Sequence, residues 1–432
     1  MSGGRQIGVG LIGLGNVGGG VAAALIERQE YFARQVGASL VVRRVAVRDL
    51  AKTRSVQLTP GILTTDVDAV INDPEIQIIV EAAGGEEPAG SYIRAALRAG
   101  KHVVTANKEL MAKSGPELLE LAHGLGLDIM FEASVGGGIP LIAPLRRDLL
   151  ANRITSVHAI INGTTNYILT SMAQQGTSYD EALAAAQRLG YAEPDPTNDV
   201  EGFDAAYKLA IVATLAFRSR VRPGQVAVEG ITKLTAADFR NARELGYVIK
   251  LLAIAERSDG GIVARVAPTF VAAGEPLARV DGVYNAVQIV GDLTGTVLFQ
   301  GRGAGAEPSS SAVVADLLDL AHAIERGAGE RKYWGPDGDI PVLGLDGIET
   351  RYYIRVSVND EPGVLARIAR SIGDHGVSIA AVIQKEADAD ARTADLVIMT
   401  HRAQEGAMQA ALREIEGLDC VGQVGSFLRV EG

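Results

Sequence analysis

Short apolar runs alternate with helical patterns along the first 132 residues. The candidate strands are residues 7–12, 40–47, 76–81, 102–105 and 127–131. Between them, apolar residues recur at the spacing of amphipathic helices, for example over residues 17–32, 89–99 and 109–124. Alternation of this kind predicts an α/β fold with a parallel, doubly wound sheet.

The rest of the chain predicts two further regions. Residues 136–326 mix helical patterns at 200–217 and 311–324 with apolar alternation at 262–266 and 286–290, which indicates an α+β domain. Residues 327–349 are rich in Gly, Pro and Asp and predict a linker. Residues 350–432 show the ferredoxin-like order βαββαβ. We therefore expect domains at 1–135, 136–326 and 350–432, with the helix near 311–325 returning to the first domain.

A glycine-rich turn follows the first candidate strand and opens the first candidate helix. Its motif is Gly13-Leu14-Gly15-Asn16-Val17-Gly18. Glycines at these positions allow a tight turn, close approach of backbone N–H groups to a pyrophosphate, and packing of helix on strand. The helix N-terminus also stabilises the anion. The motif predicts a Rossmann dinucleotide-binding domain, with Gly13 through Gly18 contacting the cofactor.

The end of the second strand bears on the choice of coenzyme. Arg48 comes first there and is followed by Asp49, with Lys52 and Arg54 behind it. An Arg at this place accepts a ribose 2′-phosphate, whereas an acid holds the 2′-hydroxyl. Arg48 favours NADP, while Asp49 leaves NAD open.

Two other segments are placed to contact a ligand. Thr105-Ala106-Asn107-Lys108 ends a strand at a helix start, and ligands of doubly wound sheets bind beyond the carboxyl ends of the strands. We expect Thr105 and Lys108 near the cofactor, and Lys108 near the substrate too. Gly303 lies in a second glycine-rich helix entry, which either contacts the cofactor or is merely a turn.

The segment from Glu132 to Pro140, which we expect to be the hinge between the first two domains, contains three consecutive glycines and one carboxylate. Such a segment can turn backbone carbonyls inward, and oxygen ligands of this kind suit a hard cation. The alternative is a flexible connector between domains.

The densest group of charged residues begins at Glu193. Prolines on either side of Asp195 stiffen an acidic turn, and Asp199, Asp204 and Lys208 follow it. Asp204 and Lys208 are four residues apart on a predicted helix, so they share one face. The group can hold a small cationic substrate and supply a proton donor. The alternative is a surface ion pair, which stabilises a helix by only about 0.3–0.5 kcal/mol.

Composition narrows the classes of function. The chain has 432 residues, a net charge of −11 and one cysteine. Its acidity argues against a nucleic-acid partner, and its single cysteine excludes an intrachain disulfide. The six histidines do not have the spacing of a zinc site. No apolar run approaches the ~18 residues of a membrane span, and the N-terminus lacks a signal-peptide pattern, so we expect a cytoplasmic protein.

Taken in order, these motifs resemble the homoserine dehydrogenase family over residues 7–325. The shared segments are the glycine turn, the segments at 105–108, 132–140 and 162–166, and the acidic turn through Lys208. The C-terminal region, with Asn359-Asp360-Glu361-Pro362-Gly363-Val364-Leu365, resembles the ACT domain, as in the longer bacterial form of the enzyme. Ala82 and Ala83 depart from the larger apolar residue frequent in the family, with no evident chemical consequence.

The resemblance implies an activity and roles for the residues. The family interconverts L-aspartate 4-semialdehyde and L-homoserine with NAD(P)H, in the route to threonine and methionine. It implies that Glu193, Asp199 and Asp204 bind the substrate, that Lys208 is the proton donor or acceptor, and that Lys108 lies beside both ligands.

The resemblance also implies a monovalent cation such as sodium, bound by Glu132 and backbone oxygens of Val135, Gly137 and Ile139.

The resemblance extends to regulation and assembly. Residues 136–326 would include the dimerisation surface of a homodimer or homotetramer. The ACT domain would bind an allosteric amino acid, which we expect to be L-threonine. Because the tail has a fold of its own and follows a linker, we expect it to be separable from catalysis. A chain that ends near Gly335 should therefore keep its activity and lose this inhibition.

Two alternatives remain at this point. A nucleotide- and amino-acid-binding sensor without chemistry would also join a Rossmann module to an ACT domain. Another amino-acid dehydrogenase of Rossmann type would differ in its substrate.

Overall fold

The computed structural model describes residues 5–54, 56–327, 338–385 and 393–432. The chain divides into two compact units. Unit 1 comprises residues 1–157, 207–224 and 285–340, and unit 2 comprises residues 158–206, 225–284 and 341–432. The chain passes from one unit to the other within a strand and within a helix rather than in loops alone.

The strands and helices have the following bounds. The strands are β1 Gln6–Ile12, β2 Ser39–Ala46, β3 Leu63–Thr64, β4 Ile78–Glu81, β5 His102–Thr105, β6 Ile129–Met130, β7 Ile154–Ile160, β8 Ala227–Val228, β9 Tyr247–Ser258, β10 Gly261–Ala272, β11 Tyr284–Gly291, β12 Gly295–Arg302, β13 Val342–Leu343, β14 Glu349–Asn359, β15 Ile379–Gln384, β16 Thr393–Thr400, β17 Ala403–Gln404 and β18 Val421–Glu431. The helices are α1 Asn16–Glu27, α2 Gln29–Val36, α3 Val67–Ile71, α4 Ala89–Arg98, α5 Lys108–Gly124, α6 Ile142–Arg146, α7 Gly163–Gln175, α8 Tyr179–Arg188, α9 Thr197–Val200, α10 Phe203–Phe217, α11 Ala236–Glu244, α12 Ala306–Arg326, α13 Val364–Asp374 and α14 Glu405–Glu416.

Unit 1 is built on a six-stranded sheet in the order β3-β2-β1-β4-β5-β6, with all strands parallel. The predicted doubly wound sheet is therefore confirmed. The strand order reverses between β1 and β4, and ligands of open α/β sheets bind at such a point. The central strands are almost wholly buried, which explains why their sequences read as continuous apolar runs.

In unit 1, one predicted helix is divided in two, and a helix from much later in the chain packs on the first of them. The helix predicted over 17–32 is two helices, α1 and α2, because Arg28 leaves the helical region with φ −112° and ψ 20°. The helix α12, far along the chain, packs on α1 and contributes Val313 and Leu317 to the core of this sheet. Gly20 permits the close approach, since a Cβ there would lie 2.2 Å from Ser310 Oγ.

The boundaries between the units differ from the predicted domain limits. Residues 132–140, expected as a hinge, lie inside unit 1. The chain enters unit 2 within β7, after Val157, and returns to unit 1 within α10, at Tyr207. A contiguous apolar pattern does not reveal such crossings, since neither element is interrupted where the chain changes unit.

Unit 2 contains a mixed sheet in the order β9-β10-β18-β14-β16-β15. Strands β9 and β10 form a long antiparallel hairpin. The last strand of the chain, β18, lies parallel to β10, with Thr269 opposite Arg429 and Val271 opposite Glu431. The C-terminal segment and the β9–β10 hairpin therefore share one sheet.

The C-terminal segment has the predicted βαββαβ order, formed by β14, α13, β15, β16, α14 and β18, and this prediction is confirmed. Its helices cover one face of the sheet and enclose a core that includes Tyr352, Ile368 and Met408. Of the predicted linker, residues 328–337 lie outside the described part of the chain. The remainder contains β13, which pairs with β10 at Ile262 and Val263.

A buried ion network joins β18 to its neighbours. Arg429 is 1% exposed and donates to the Glu405 carboxylate at 2.9 and 2.6 Å and to Glu229 Oε1 at 2.7 Å. The Tyr352 hydroxyl also donates to Glu405, at 3.0 Å. Burial alone would lower the pKa of Arg429, but the two carboxylates hold it above its usual value. The tail, expected to be separable, is thus fixed to the rest of unit 2.

A second network joins β14 to α11. Asp238, fully buried, receives hydrogen bonds from Arg355 Nε at 2.8 Å and from the Tyr353 hydroxyl at 3.1 Å. Burial raises the pKa of Asp238, yet the hydrogen bond and charge of Arg355 bring it below its usual value. Tyr353 also stacks on Phe270 of β10, with ring centroids 4.4 Å apart. Contacts of this kind make the C-terminal segment part of the unit's core.

Candidate active site

The glycine turn of unit 1 has the geometry of a phosphate-binding turn. Gly13 has φ +101°, and a Cβ there would lie 2.6 Å from Ala82 O. A Cβ on Gly18 would lie 2.2 Å from Gly13 O, so the helix start packs directly on the turn. A Cβ on Gly15, by contrast, meets nothing within 4 Å. Gly15 thus leaves open space for a ligand at the N-terminus of α1.

A cavity of about 370 Å³ lies beside this turn. It is bounded by the carboxyl ends of β1 and β2 and by the loop after β4. The lining residues that carry charge are Arg48, Asp49, Lys52 and Arg54. This is the position at which a dinucleotide-binding sheet receives the ribose of its cofactor.

The charged residues of the cavity differ in what they bind. Asp49 Oδ1 accepts from Ala51 N at 2.8 Å, which closes the loop on itself. The Arg54 guanidinium bonds to the backbone carbonyls of Asp49, Leu50 and Lys52. Arg48 makes no hydrogen bond or ion pair with another described residue and is exposed. Asp49 and Arg54 therefore shape the loop, while Arg48 remains available to a ligand.

A buried carboxylate organises the carboxyl ends of β4 and β5. Glu81 accepts the Thr105 hydroxyl at 2.6 Å and the backbone N–H groups of Ala83 and Gly84 at 2.8 and 3.2 Å. Thr105 Oγ1 in turn accepts from Asn107 N at 3.0 Å. The sequence pattern predicted no role for Glu81. The sequence feature that could have indicated such a role is a single carboxylate at the end of an apolar strand.

Asn107 links the same two loops and starts α5. Its side chain accepts from Leu110 N at 3.1 Å, as a helix N-cap, and donates to Gly85 O at 2.6 Å. Lys108 is consequently the first residue of α5 and is half-buried. This fixes the backbone of Lys108 at the carboxyl end of β5, as the sequence predicted.

Gly303 lies against the triple-glycine segment of unit 1. Its carbonyl oxygen would be 2.6 Å from a Cβ on Gly137, and a Cβ on Gly303 itself would be 1.8 Å from Asn285 Nδ2. Glycine is therefore required at both positions, at Gly137 by close packing against the backbone of Gly303 and at Gly303 by close packing against the Asn285 side chain. Gly303 stands just before α12, whose N-cap residue is Gly305. This packing alone accounts for the glycines, and cofactor contact by Gly303 stays a prediction.

The Glu132 carboxylate, predicted to bind a cation, caps a helix. Its Oε1 accepts from Leu141 N at 2.5 Å and from Ile142 N at 2.8 Å, and its Oε2 accepts from Ala143 N at 2.7 Å. These are orphan donors at the N-terminus of α6, which an acid stabilises. One lone-pair position on Oε2 is left after these bonds, since a carboxylate offers about four.

In unit 2, a single amide joins two acids. Asn162 Nδ2 donates to Asp199 Oδ1 at 2.7 Å and to Asp204 Oδ2 at 2.9 Å. Asn162 is also the N-cap of α7, and its Oδ1 accepts from Thr165 N at 2.8 Å. The structure thus brings together Asp199 and Asp204, both predicted substrate residues. Asn162 belongs to the segment 162–166 that resembles the family, but no role was predicted for it, although an Asn ahead of a helical pattern is a cap signal.

Two carboxylates of the acidic turn, Asp195 and Glu193, differ in what they bind. Asp195 Oδ1 accepts from the Thr197 hydroxyl at 2.6 Å and from Thr197 N at 3.1 Å, and these bonds lower the pKa of the carboxyl. Asp195 therefore holds the entry to α9. Glu193 is exposed, and its carboxylate makes no hydrogen bond with another described residue. Glu193 is the member of the turn that can take a ligand.

Asp204 and Lys208 lie one turn apart on α10, as predicted, and are 5% and 9% exposed. This burial excludes the alternative of a solvated surface pair. The predicted helix over 200–217 is interrupted at Gly202, which has φ +87° and packs against Val228 and Val266. The break starts α10 anew at Phe203, so Asp204 falls in its first turn, where a carboxylate is favoured.

Three family models match successive parts of the chain. They are the NAD-binding domain of homoserine dehydrogenase over residues 13–132, homoserine dehydrogenase over 140–318 and the ACT domain over 352–419. The homoserine dehydrogenase of Synechocystis sp. is 44% identical over 432 residues, which cover 98% of this chain and 99% of that protein. The chain belongs to the homoserine dehydrogenase family. The homoserine dehydrogenase of Bacillus subtilis is 40% identical, over 99% of both chains.

Solved structures agree with this assignment. A crystal structure of a homoserine dehydrogenase from Thiobacillus denitrificans has a TM-score of 0.93 and 45% identity, covering 99% of this chain and 98% of that one. A hyperthermophilic archaeal homoserine dehydrogenase in complex with NADPH has a TM-score of 0.63 and 27% identity, covering 76% of this chain and 100% of that one.

The protein is accordingly an NAD(P)-dependent oxidoreductase that acts on the CH–OH group of homoserine, and it carries a C-terminal ACT domain. The predicted family, fold class and reaction class are confirmed, and the alternatives of a sensor without chemistry and of another amino-acid dehydrogenase are set aside. No helix in the described part of the chain combines the length and apolarity of a membrane crossing.

Proposed function

We propose that the chain interconverts L-homoserine and L-aspartate 4-semialdehyde with Lys208 as the group that moves the proton. The observation that carries this proposal is the placement of Asp204 and Lys208 one turn apart on α10, both buried. A nicotinamide cofactor, when bound, supplies or accepts the hydride. Lys208 then stabilises the alkoxide oxygen of the substrate and gives it a proton, and in the reverse direction takes the proton from the hydroxyl.

Carboxylates complete the substrate site in this proposal. Glu193 and Asp199 would hold the substrate ammonium, because a cationic group is best bound by acids that are themselves held in place. Asp204 would bind the hydroxyl and orient Lys208. Lys108, at the start of α5, would lie beside cofactor and substrate. Support comes from the hydrogen bonds that Asn162 donates to both Asp199 and Asp204. In addition, the carboxylate of Glu193 accepts no hydrogen bond from another described residue, so it can bind the substrate ammonium.

We propose NADP as the preferred coenzyme, bound by the turn from Gly13 to Gly18 and by Arg48, with Thr105 and Gly303 as further contacts. The cavity beside the turn supports this proposal, since the guanidinium of Arg48, unlike that of Arg54, makes no bond within the loop. A planar guanidinium suits a phosphate, which it can bind through two parallel hydrogen bonds.

Removing Arg48 tests the coenzyme assignment. We expect Arg48→Ala to raise the KM for NADPH at least about tenfold, because a hydrogen bond between charged groups is worth roughly 1.5–3 kcal/mol. The KM for NADH should change little, and steady-state kinetics with both coenzymes measures the difference. Arg98→Ala, which removes the same charge from the exposed end of α4, is the matched control. Equal effects of Arg48→Ala on both coenzymes would contradict the assignment.

We also propose a monovalent cation, bound by Glu132 Oε2 and the backbone oxygens of Val135, Gly137 and Ile139. Among the described residues no cluster of three or more His, Cys, Asp or Glu side chains is arranged to hold a metal. One carboxylate and neutral carbonyls form a hard donor set of low charge, which suits sodium better than a divalent ion. Thermal unfolding in sodium chloride and in choline chloride tests this, with higher stability expected in sodium.

We propose that the ACT domain makes the enzyme responsive to L-threonine, within the synthesis of threonine and methionine. We expect millimolar L-threonine to slow homoserine oxidation by the full-length enzyme. L-valine is the matched control, because it has the same branched shape without the hydroxyl. Initial rates measured at 340 nm decide the point. If neither threonine nor a related amino acid changes the rate, the ACT domain has a role in assembly instead.

Assembly and location complete the proposal. We expect a homodimer or homotetramer, and β12 is a suitable contact surface because it lies at a sheet edge and alternate residues along it are exposed. Leu293, just before β12, is 75% exposed. Light scattering gives the mass. A cytoplasmic location remains a prediction.

A further inference from the structure

Two acids of the proposed substrate site share one hydrogen-bond donor group. Asp199 lies on α9 and Asp204 on α10, and the break at Gly202 separates the two helices. Their carboxylates both accept from Asn162 Nδ2, at 2.7 and 2.9 Å. The amide nitrogen carries two hydrogens, so one hydrogen serves each acid. The bridge takes one oxygen of each carboxylate.

The orientation of the Asn162 amide follows from its other contacts. Its Oδ1 accepts from Thr165 N at 2.8 Å and lies 3.0 Å from Thr165 Oγ1. A backbone N–H can only donate, so the atom facing it must be the oxygen, and the atom facing the acids must be the nitrogen. The side chain is 5% exposed, which removes competition from water. The cap of α7 therefore fixes the donor that joins the two acids.

We propose that Asn162 is a positioning residue for the reaction: it holds Asp199 and Asp204 at one spacing, so that Asp199 can bind the substrate ammonium while Asp204 binds the hydroxyl and orients Lys208. This inference rests on the proposed roles of Asp199 and Asp204. Two carboxylates kept close together repel each other, and a neutral donor placed between them offsets the repulsion without neutralising either acid. A lysine in the same place would form ion pairs with the acids and compete for them with the substrate ammonium.

A serine substitution separates this role from helix capping. Asn162→Ser keeps an oxygen that caps α7 about as well, because Ser and Asn are nearly equal at this position. It removes both amide hydrogens. We expect thermal stability and NADPH binding close to those of the unsubstituted enzyme. We expect kcat/KM for homoserine to fall roughly 10- to 100-fold, in line with the loss of hydrogen bonds to charged groups.

Asn162→Asp provides a second variant of the same size. It also keeps a capping oxygen, but it places a third carboxylate against Asp199 and Asp204. We expect a larger loss of kcat/KM for homoserine than in Asn162→Ser, with the KM for NADPH unchanged. A purely structural role for Asn162 would instead lower the stability of Asn162→Ser and affect both substrates alike, and that result would overturn the inference.

Coupling between variants separates this inference from the proposed function. If Asn162 acts through Asp204, then Asn162→Ser should cost much less in the background of Asp204→Asn than in the unsubstituted enzyme. Full additivity of the two losses would overturn the positioning role while leaving Asp204 as a substrate residue. An Asp204→Asn enzyme with undiminished kcat/KM would overturn the proposed function itself, and the inference with it.

Discussion

Substitution of Lys208 by alanine is expected to lower kcat for homoserine oxidation by about 10²–10⁴-fold, the usual cost of losing a positioned acid or base. Lys208 is 9% exposed on α10, one turn after Asp204, so water cannot readily replace its ammonium group. Binding of NADPH, measured by fluorescence, should stay close to that of the unsubstituted enzyme. Asp204→Asn should also reduce kcat, because it disturbs the group that orients the lysine.

A second substitution at Lys208 distinguishes proton transfer from charge alone. Lys208→Arg keeps the positive charge, but a guanidinium is not deprotonated in proteins. We expect it to remain nearly as slow as Lys208→Ala. Lys233→Ala, which removes an exposed lysine of unit 2, should leave kcat unchanged and serves as the control. A folded Lys208→Ala enzyme with near-normal kcat would move the proton donor to Lys108.

Substitution of Arg429 by methionine is expected to destabilise the protein by about 3–5 kcal/mol, the range found when one partner of a buried ion pair is removed. Arg429 is 1% exposed and bonds to Glu405 and Glu229, so its loss leaves a carboxylate at Glu405 that is 2% exposed and without its cation. Guanidinium unfolding followed by circular dichroism measures the change.

The control for this prediction is another arginine of the same domain. Arg402 pairs with Glu349 at 4.0 Å, and both side chains are largely exposed, so Arg402→Met should change the stability by less than about 0.5 kcal/mol. Adding Glu405→Gln to Arg429→Met should recover part of the loss, because the neutral amide is cheaper to bury than an unpaired charge. Equal effects of Arg429→Met and Arg402→Met would show that the buried network contributes little.

The networks around Arg429 and Asp238 change what is expected of a shortened chain. Sequence patterns predicted that a chain ending near Gly335, which lies outside the described residues, would keep its activity and lose regulation. Such a chain would lack β18 beside β10 and the arginines that pair with Glu229 and Asp238. The loss of these contacts would destabilise unit 2 as a whole, so truncation is a poor way to separate regulation from catalysis.

Short stretches of sequence predicted the features of the fold that depend on local backbone conformation. The turn from Gly13 to Gly18, the parallel strands and the βαββαβ order depend on periodicity and on glycine geometry, which a short window of sequence contains. The break at Arg28 and the short strand β13 were missed, because tertiary packing rather than local propensity decides them.

The candidate site shows the same division. The acids and the lysine were found because their residue types and spacing carry the chemistry. The sequence did not predict the bridge from Asn162 to Asp199 and Asp204, or the capping of α6 by Glu132. In each case the fold decides which groups the side chain contacts. The crossing of α10 between the two units also left no mark on its sequence.

The parallel pairing of β10 with the last strand has a consequence for the nascent chain. Arg265 of β10 and its partner Glu431 are 166 positions apart, so the edge of β10 leaves the ribosome long before β18 has been synthesised. At ~5–20 residues per second this interval lasts roughly ten seconds or more. Throughout it, the part of the edge that pairs with β18, from Thr269 to Val271, offers hydrogen-bonding groups to any strand nearby. Completion of this sheet therefore waits for the synthesis of β18, and chaperones that shield open strand edges should assist the synthesis of this enzyme.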